Sequence, residues 1–337
     1  MNTMTILITG VAGLIGSRLA DYIIENTNHT VIGIDDLSGG YIENVNDNVK
    51  FFSLDLSKDD ISFIFEKYNI DIVYHFACYA AEGLSPFMRN FNYRNNILST
   101  TNIINNCINY KVKRLIYASS MSVYGHGKGN GEIFDETLPY APIDPYAVSK
   151  MACEYDIKIA GEQHGLDYVI IRPHNVFGIK QNIWDKYRNV LGIWMYQTLN
   201  GEPMLIYGDG EQTRAFTYID NILPCLYRCA SDPNVSRETI NLGGIKPYTI
   251  NQACSILQSI TGYDKVVHME QRHEVKFAVP TYQKSIDLLD YKEEISFEEG
   301  LKRMWEWAKV QPMRTRKVWD TYEITDKLYK YWKDDRH

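Results

Sequence analysis

Along the first half of the chain, short runs of apolar and β-branched residues alternate with longer stretches whose apolar positions recur at helical spacing. The short runs are residues 5–9, 30–35, 49–54, 72–77, 114–119 and 167–172. Their apolar residues are consecutive, not alternating, which marks strands buried on both faces, and the helix-length segments between them supply the cover. The pattern predicts an α/β fold built on a doubly wound parallel sheet, because right-handed crossovers place helices on both sides. After Gly178 the rhythm shifts to helices and loops rich in aromatic and turn residues. We therefore expect residues 1–178 to form one domain, rejoined by 211–250, and residues 179–210 and 251–337 to form a smaller lobe containing an amphipathic helix over 296–310. Beyond Pro312 runs a tail with Trp319, Tyr322, Tyr329, Tyr331 and Trp332. A latch packed on the chain's own surface is favoured over a partner site, since aromatic stripes are usually core.

Composition narrows the classes of function. With 337 residues, 45% hydrophobic and 23% charged, the chain can bury a large core and is unlike a disordered protein. A net charge of -7 argues against nucleic acid as a partner, which calls for surplus Lys and Arg. The six cysteines form no CxxC pair and read as reduced thiols. Cys225 and Cys229, four apart, read as a packed apolar face, so no metal is expected. The chain enters a strand pattern at once, and no stretch suits a leader or a bilayer span, which points to the cytoplasm and away from membranes.

The first apolar run leads into Gly10-Val11-Ala12-Gly13-Leu14-Ile15-Gly16, which opens a helix. Gly10 permits the tight turn, Gly13 a close approach to a pyrophosphate, and Gly16 close packing of helix on strand, while free N–H groups at the helix start, including those of Leu14 and Ile15, face the anion. The next run ends in Asp35-Asp36, about 20 residues on, where a carboxylate accepts bonds from the adenosine ribose. It also repels a 2′-phosphate, so the expected cofactor is NAD, held by a Rossmann domain.

Tyr146 and Lys150 stand four apart and share a face if this segment is helical, with Pro145 setting the start. A free tyrosine, pKa roughly 10, is a poor base at neutral pH, but a neighbouring ammonium and a cationic nicotinamide both favour the phenolate. The pair alone also fits a surface contact. It is accompanied by the run 114–119, whose carboxyl end, where open α/β sheets bind ligands, carries Ser120 as hydrogen-bond partner of the same substrate hydroxyl.

Taken together, TGxxGxxG, Asp35, SSxSVYG and YxxxK in this order resemble the extended short-chain dehydrogenase/reductase family, and within it the UDP-galactose 4-epimerase-like nucleotide-sugar enzymes. The resemblance implies Ser120, Tyr146 and Lys150 as catalytic residues, Asp55 and Leu56 at the adenine, Phe76 and Ala77 beside the pyrophosphate, and Asn96 as a backbone brace. It implies Asn175, Asn189, Val190, Arg214 and Arg272 around a UDP-linked sugar, with Ser122 nearby, and a homodimer. Two arginines converging on a diphosphate make physical sense, since guanidinium forks match phosphate oxygens. The chain departs from the family at Ala215, where a carboxylate is usual, so Arg214 is expected to be oriented differently. His174 and Glu82 also replace apolar residues at places expected to lie near the sugar.

Family dehydratases carry an Asp-Glu pair directly after the catalytic Ser or Thr, where this chain has Met121 and Ser122. A thioether carries no proton, so the resemblance implies 4-epimerisation through a transient 4-keto sugar rather than dehydration. Dehydration by relocated acids, with Glu82 as stand-in, is the alternative, and a non-catalytic nucleotide-sugar binder is a more remote one. Counting seven residues on from Arg272 lands on Val279, a small residue at the family's pocket wall, which leaves room for a 2-N-acetyl group. A loop shift would put Phe277 or Tyr282 there instead.

Overall fold

The computed structural model describes residues 3–127, 133–277 and 279–333. Its centre is a parallel sheet of seven strands: β1 (Thr5–Thr9), β2 (Thr30–Asp35), β3 (Lys50–Ser53), β4 (Ile72–His75), β5 (Arg114–Ala118), β6 (Tyr168–His174) and, after the short β7 (Val176–Phe177), β8 (Met204–Tyr207), β9 (Thr213–Ala215) and β10 (Thr217–Tyr218), the edge strand β11 (Glu238–Gly243). The order is β11-β6-β5-β4-β1-β2-β3. Chain direction across the sheet reverses between β1 and β4, and the crevice at that switch point, beyond the strands' carboxyl ends, is where such folds bind ligands. Successive side chains of one strand enter opposite cores. Ile6 and Ile8 join one cluster with Val31, Tyr74 and Ile171, while Leu7 joins another with Ile32, Val73 and Ile170. Burial on both faces is why these runs are continuously apolar, each such side chain stabilising the fold by about 1.5–3 kcal/mol.

Six of these strands are the six apolar runs. β11, ETINLG, is the addition: its buried Asn241 interrupts the apolar pattern, and its side-chain amide is satisfied by the Phe134 carbonyl at 3.2 Å. The helices of this domain are α1 (Leu14–Asn26), α2 (Ser62–Tyr68), α3 (Arg89–Tyr93), which runs through a π turn at Arg94–Leu98 into α4 (Ser99–Asn109), and α5 (Pro145–His164). In the second half come α6 (Val190–Leu199), α7 (Ile219–Arg228), α8 (Ile250–Thr261), α9 (Gln283–Leu289) and α10 (Phe297–Lys309). α7 returns to pack on α1, where Arg18 meets Asp220 at 3.0 Å. Ser296 caps α10 by accepting from the Glu299 N–H, and α10 buries Phe297, Leu301, Met304 and Trp305 along one stripe. Outside the central sheet, β12 (Pro247–Thr249) pairs antiparallel with β9, β8 pairs in parallel with β13 (Val266–Met269), and buried Trp194 of α6 donates to the Leu205 carbonyl at 2.9 Å.

Two features set the position of the site. Fully buried Glu154 of α5 takes two hydrogen bonds from Arg172 of β6, at 2.7 and 2.9 Å, and one from Ser119 at the end of β5. One carboxylate thus locks α5 to two strand ends. The tail, residues 311–333, lies on the chain's own surface: Glu323 accepts from the Asn90 and Phe91 amides, and Trp332 is buried in a cluster with Phe87 and Tyr187.

Candidate active site

A cavity of about 550 Å³ extends from Gly10 and Asp35 past Tyr146 to Arg214 and Arg272. At its first end the wall is main chain. Gly10 has φ +71°, and a Cβ there would stand 2.8 Å from the Ala77 nitrogen, so only glycine lets β1 turn this close to the end of β4. A Cβ on Gly16 would stand 2.2 Å from the Gly10 carbonyl oxygen, so the helix seats on the turn only without one. Leu14 and Ile15 at the start of α1 border the same space, with Gly13, Phe76 and Ala77. Asp35 accepts from the Ala12 and Leu37 amides at 3.0 and 2.8 Å. Burial raises its pKa while these two donors oppose the shift. Asp36, Asp55 and Leu56 also border the cavity. A dinucleotide fits this donor set: free amides at a helix start for the pyrophosphate, and a carboxylate at the end of β2 for ribose hydroxyls.

In the middle lies the chemical group. Pro145 begins α5, and Asp144 caps it by accepting from the Ala147 N–H at 2.9 Å. Tyr146 therefore sits in the first turn, with Lys150 one turn on. The Lys150 ammonium is buried, donates to the Ala118 carbonyl at 2.7 Å, and lies 5.8 Å from the Tyr146 ring. Ser120, at the carboxyl end of β5, accepts from the Ser122 amide at 3.1 Å. Burial lifts the Tyr146 phenol well above its ordinary pKa, nearby Cys78 and Glu82 add to this, and hydrogen bonding to Ser120 opposes it. Asn96 braces the loop after β4, its carbonyl oxygen accepting from the Tyr79 amide at 3.0 Å and its amide donating to Ser149.

The far end is made of side chains from distant segments. Glu82 is an exposed residue that borders the cavity; the protein around it raises its pKa to about 7, with Asp144 and Glu274 pushing the same way and Arg214 opposing. Arg214 points to Glu274, 2.9 Å away, and to the Thr213 carbonyl. Glu274 thus partners it in a chain that has Ala215 in place of the usual carboxylate. Asn175, in a left-handed conformation with φ 38°, donates to the Ala215 carbonyl. Asn189 caps α6 through the Leu191 amide, and Asn189, Val190 and Ser122 border the cavity, the Ser122 hydroxyl buried without a partner.

Lys150 is buried behind Tyr146 and does not itself border the cavity, and two further expected residues lie elsewhere. His174 is buried, its Nδ1 3.1 Å from the Tyr282 hydroxyl, and is not among the residues bordering the cavity, whereas its neighbours Pro173 and Asn175 are. Side chains alternate along a strand, so at the end of β6 His174 faces away from them. Burial and Arg214 lower its pKa to about 3, leaving it neutral. Val279 is also set back: its carbonyl accepts from the Phe134 amide at 3.0 Å, which holds the loop aside, and Val275 is the residue at the wall. Neither Phe277, exposed, nor Tyr282, buried against His174, borders the cavity. Asp144, His273, Glu274, Tyr207, Tyr329 and Tyr331 border it unforeseen. Of these only Asp144, an Asp before Pro at a helix start, carries a local signal. Among the described residues no group of three or more His, Cys, Asp or Glu could hold a metal ion, and no helix is long and apolar enough to cross a membrane.

Known proteins bear on this geometry. A UDP-glucuronate 4-epimerase of Thermodesulfobacterium geofontis is 33% identical over 321 residues, covering 90% of this chain and 95% of that protein. The solved UDP-glucose 4-epimerase of Thermotoga maritima with UDP-glucose superposes with a TM-score of 0.85 at 31% identity, covering 90% of this chain and 98% of that one. A UDP-N-acetylglucosamine 4-epimerase of Methanobrevibacter ruminantium, solved with UDP-N-acetylmuramic acid, gives 0.83 at 32%, covering 91% and 98%. With the family profile matching residues 6–243, beginning in β1 and ending with β11, the chain belongs to the NAD dependent epimerase/dehydratase family.

Proposed function

We propose that this chain interconverts UDP-sugars epimeric at C4. The observation that carries the reading is the placement of Tyr146 and Ser120 on the wall of the cavity, with the Lys150 ammonium buried one helical turn behind Tyr146, and Met121 and Ser122 following Ser120 in place of an acid pair. Epimerase relatives acting on UDP-sugars support it.

Bound NAD supplies the acceptor that takes the C4 hydride and returns it. The protein's part is the proton. Tyr146 receives the 4-hydroxyl proton as a phenolate and gives it back to the same oxygen once the sugar has turned its other face, while Ser120 holds that oxygen by hydrogen bonding. In the protein alone, Lys150 included, the buried phenol resists ionisation. Lys150, anchored on Ala118, keeps its ammonium one helical turn away, and a positively charged cofactor adds to its pull. Arg214 and Arg272 hold the diphosphate, Asn175, Asn189 and Val190 border the nucleotide, and Asp35, Asp36, Asp55, Leu56, Phe76 and Ala77 frame the cofactor.

Relatives differ in sugar, and charge helps to choose. Glu82, Asp144 and Glu274 all border the space around Arg214. A uronate would bring a further negative charge toward them, so we read the sugar as neutral, a hexose or an N-acetylhexosamine. We also read the protein as a cytoplasmic homodimer. Its cysteines are all free, and Leu98 on the π turn and Tyr155 and Ile159 on α5, two segments in contact, are exposed apolar residues that a second copy would cover. Light scattering that returns a monomer mass would exclude the dimer.

The deciding assay offers purified protein UDP-glucose, UDP-N-acetylglucosamine and UDP-glucuronate. Each neutral sugar should reach an equilibrium of two isomers of unchanged mass, and Tyr146→Phe should lose about 10²–10⁴ in kcat while remaining folded with NAD. A product lighter by one water overturns the epimerase reading in favour of a dehydratase.

A further inference from the structure

We propose that the segment 313–333 is a substrate strap: it closes the far end of the cavity, lends Tyr329 and Tyr331 to the wall around the nucleoside diphosphate, and sets Arg272 against it. The inference rests on the UDP-sugar reading above.

Relatives are covered almost end to end, 98% for the Thermotoga maritima enzyme, yet match only 90% of this chain. A stretch of about that size follows α10, and it does not hang free. The Lys317 amide donates to the Trp184 carbonyl at 2.9 Å and its ammonium to the Ser38 carbonyl, while Glu323 binds two amides at the start of α3. Ser38 borders the cavity just beyond β2, and Trp184 lies between Asn182 and Lys186, which border it from the segment leading into α6. The tail therefore bridges both walls.

Where it ends, Arg272 explains what it is for. The guanidinium carbon lies 3.2 Å from the centre of the Tyr207 ring, 5.1 Å from that of Trp332 and 5.3 Å from that of Tyr329, so two of its three aromatic neighbours come from the tail. Its Nε is buried without a hydrogen-bond partner, and among the described residues no carboxylate forms an ion pair with it. A desolvated guanidinium that borders a cavity, with its Nε unpartnered and no carboxylate paired to it, suits an anion that arrives from outside, and a diphosphate has the matching charge and oxygens. Tyr329 and Tyr331 border the same space, and Lys186 steadies Tyr331 by donating to its carbonyl at 3.0 Å.

The test is calorimetric titration of UDP into the NAD-loaded protein, with steady-state KM and kcat alongside. Tyr329 and Tyr331 are half-buried, and their replacement leaves Leu328 and Trp332 to anchor the segment. The double variant Tyr329→Ala/Tyr331→Ala should weaken UDP binding about tenfold and raise KM in step, with kcat and NAD content held. Tyr329→Phe, which keeps the ring, should recover most of the single Tyr329→Ala loss, and Ile324→Ala, an exposed tail change, should bind as wild type does. A folded double variant that binds UDP within about twofold of wild type, or that loses kcat at unchanged KM, overturns the strap alone. Wild-type protein that does not bind UDP overturns the nucleotide reading and the strap with it.

Discussion

The two ends of the cavity are made of different material. At the cofactor end the ligand-facing groups are backbone amides and glycines drawn from one contiguous turn, with Asp35 one strand away. At the substrate end they are long side chains from segments around residues 82, 144, 214, 274 and 330, joined only by the fold. The first kind of site has little freedom to vary, because a Cβ at Gly10 meets main chain that cannot swing aside. The second can change its ligand by exchanging one side chain. That contrast matches relatives that share a cofactor and differ in sugar.

The largest effect should come from the part common to both ends. Glu154→Gln removes the charge from a fully buried, bidentate pair with Arg172 and should cost about 3–5 kcal/mol of stability, read by denaturant unfolding. NAD and UDP binding should fall together; loss at one end alone would mean that the two are not carried on a common frame. Next, Gly10→Ala attacks only the cofactor end. A strained positive φ and a 2.8 Å backbone contact should lower NAD affinity by about 10–100-fold, with UDP binding retained. Equal loss of both ligands would erase the distinction.

At the substrate end, Glu82 gives a subtler handle. Its ionised form opposes the Tyr146 phenolate, so Glu82→Gln should shift the acid limb of kcat/KM to lower pH. Stability has its own sign: a carboxyl that holds its proton more tightly in the folded chain favours folding at low pH, and this contribution is lost as pH rises through about 7. The variant should therefore gain in Tm over wild type above pH 7 and not below pH 4.5, near the ordinary carboxyl pKa. An unmoved limb would show that Glu82 does not sense the phenol. The smallest effect is expected at Val279→Tyr, within about twofold on every sugar, while Val275→Tyr narrows the wall and depresses the acetylated pair first. The reverse ranking would restore Val279 as the gate.

The same contrast explains what could be read from the amino acids in order. The turn after β1 is local, so its glycines, Asp35 and the strand pattern announce themselves within a few dozen residues. Tyr146 and Lys150 are equally local, one turn apart. β11 went unseen because Asn241 sits in its middle, satisfied by partners more than a hundred residues away in Tyr124 and Phe134. Strand alternation turns His174 away from the cavity, and that hinges on where β6 ends. Val279 was displaced by a bridge between its loop and Phe134 that no count along the chain contains. Tyr329 and Tyr331 lacked any local sign, because a tail acquires its role from what it crosses.

Asp144 holds two offices at once. It caps α5, and so fixes where Tyr146 begins its turn, yet its charge raises the pKa of the phenol it positions. A neutral Asn or Ser caps a helix about as well. The position is therefore a dial: a single substitution there should make the proposed base more acidic while leaving Ser120, Tyr146, Lys150 and the cofactor turn untouched, a route to a new working pH that alters one carboxylate at the substrate end.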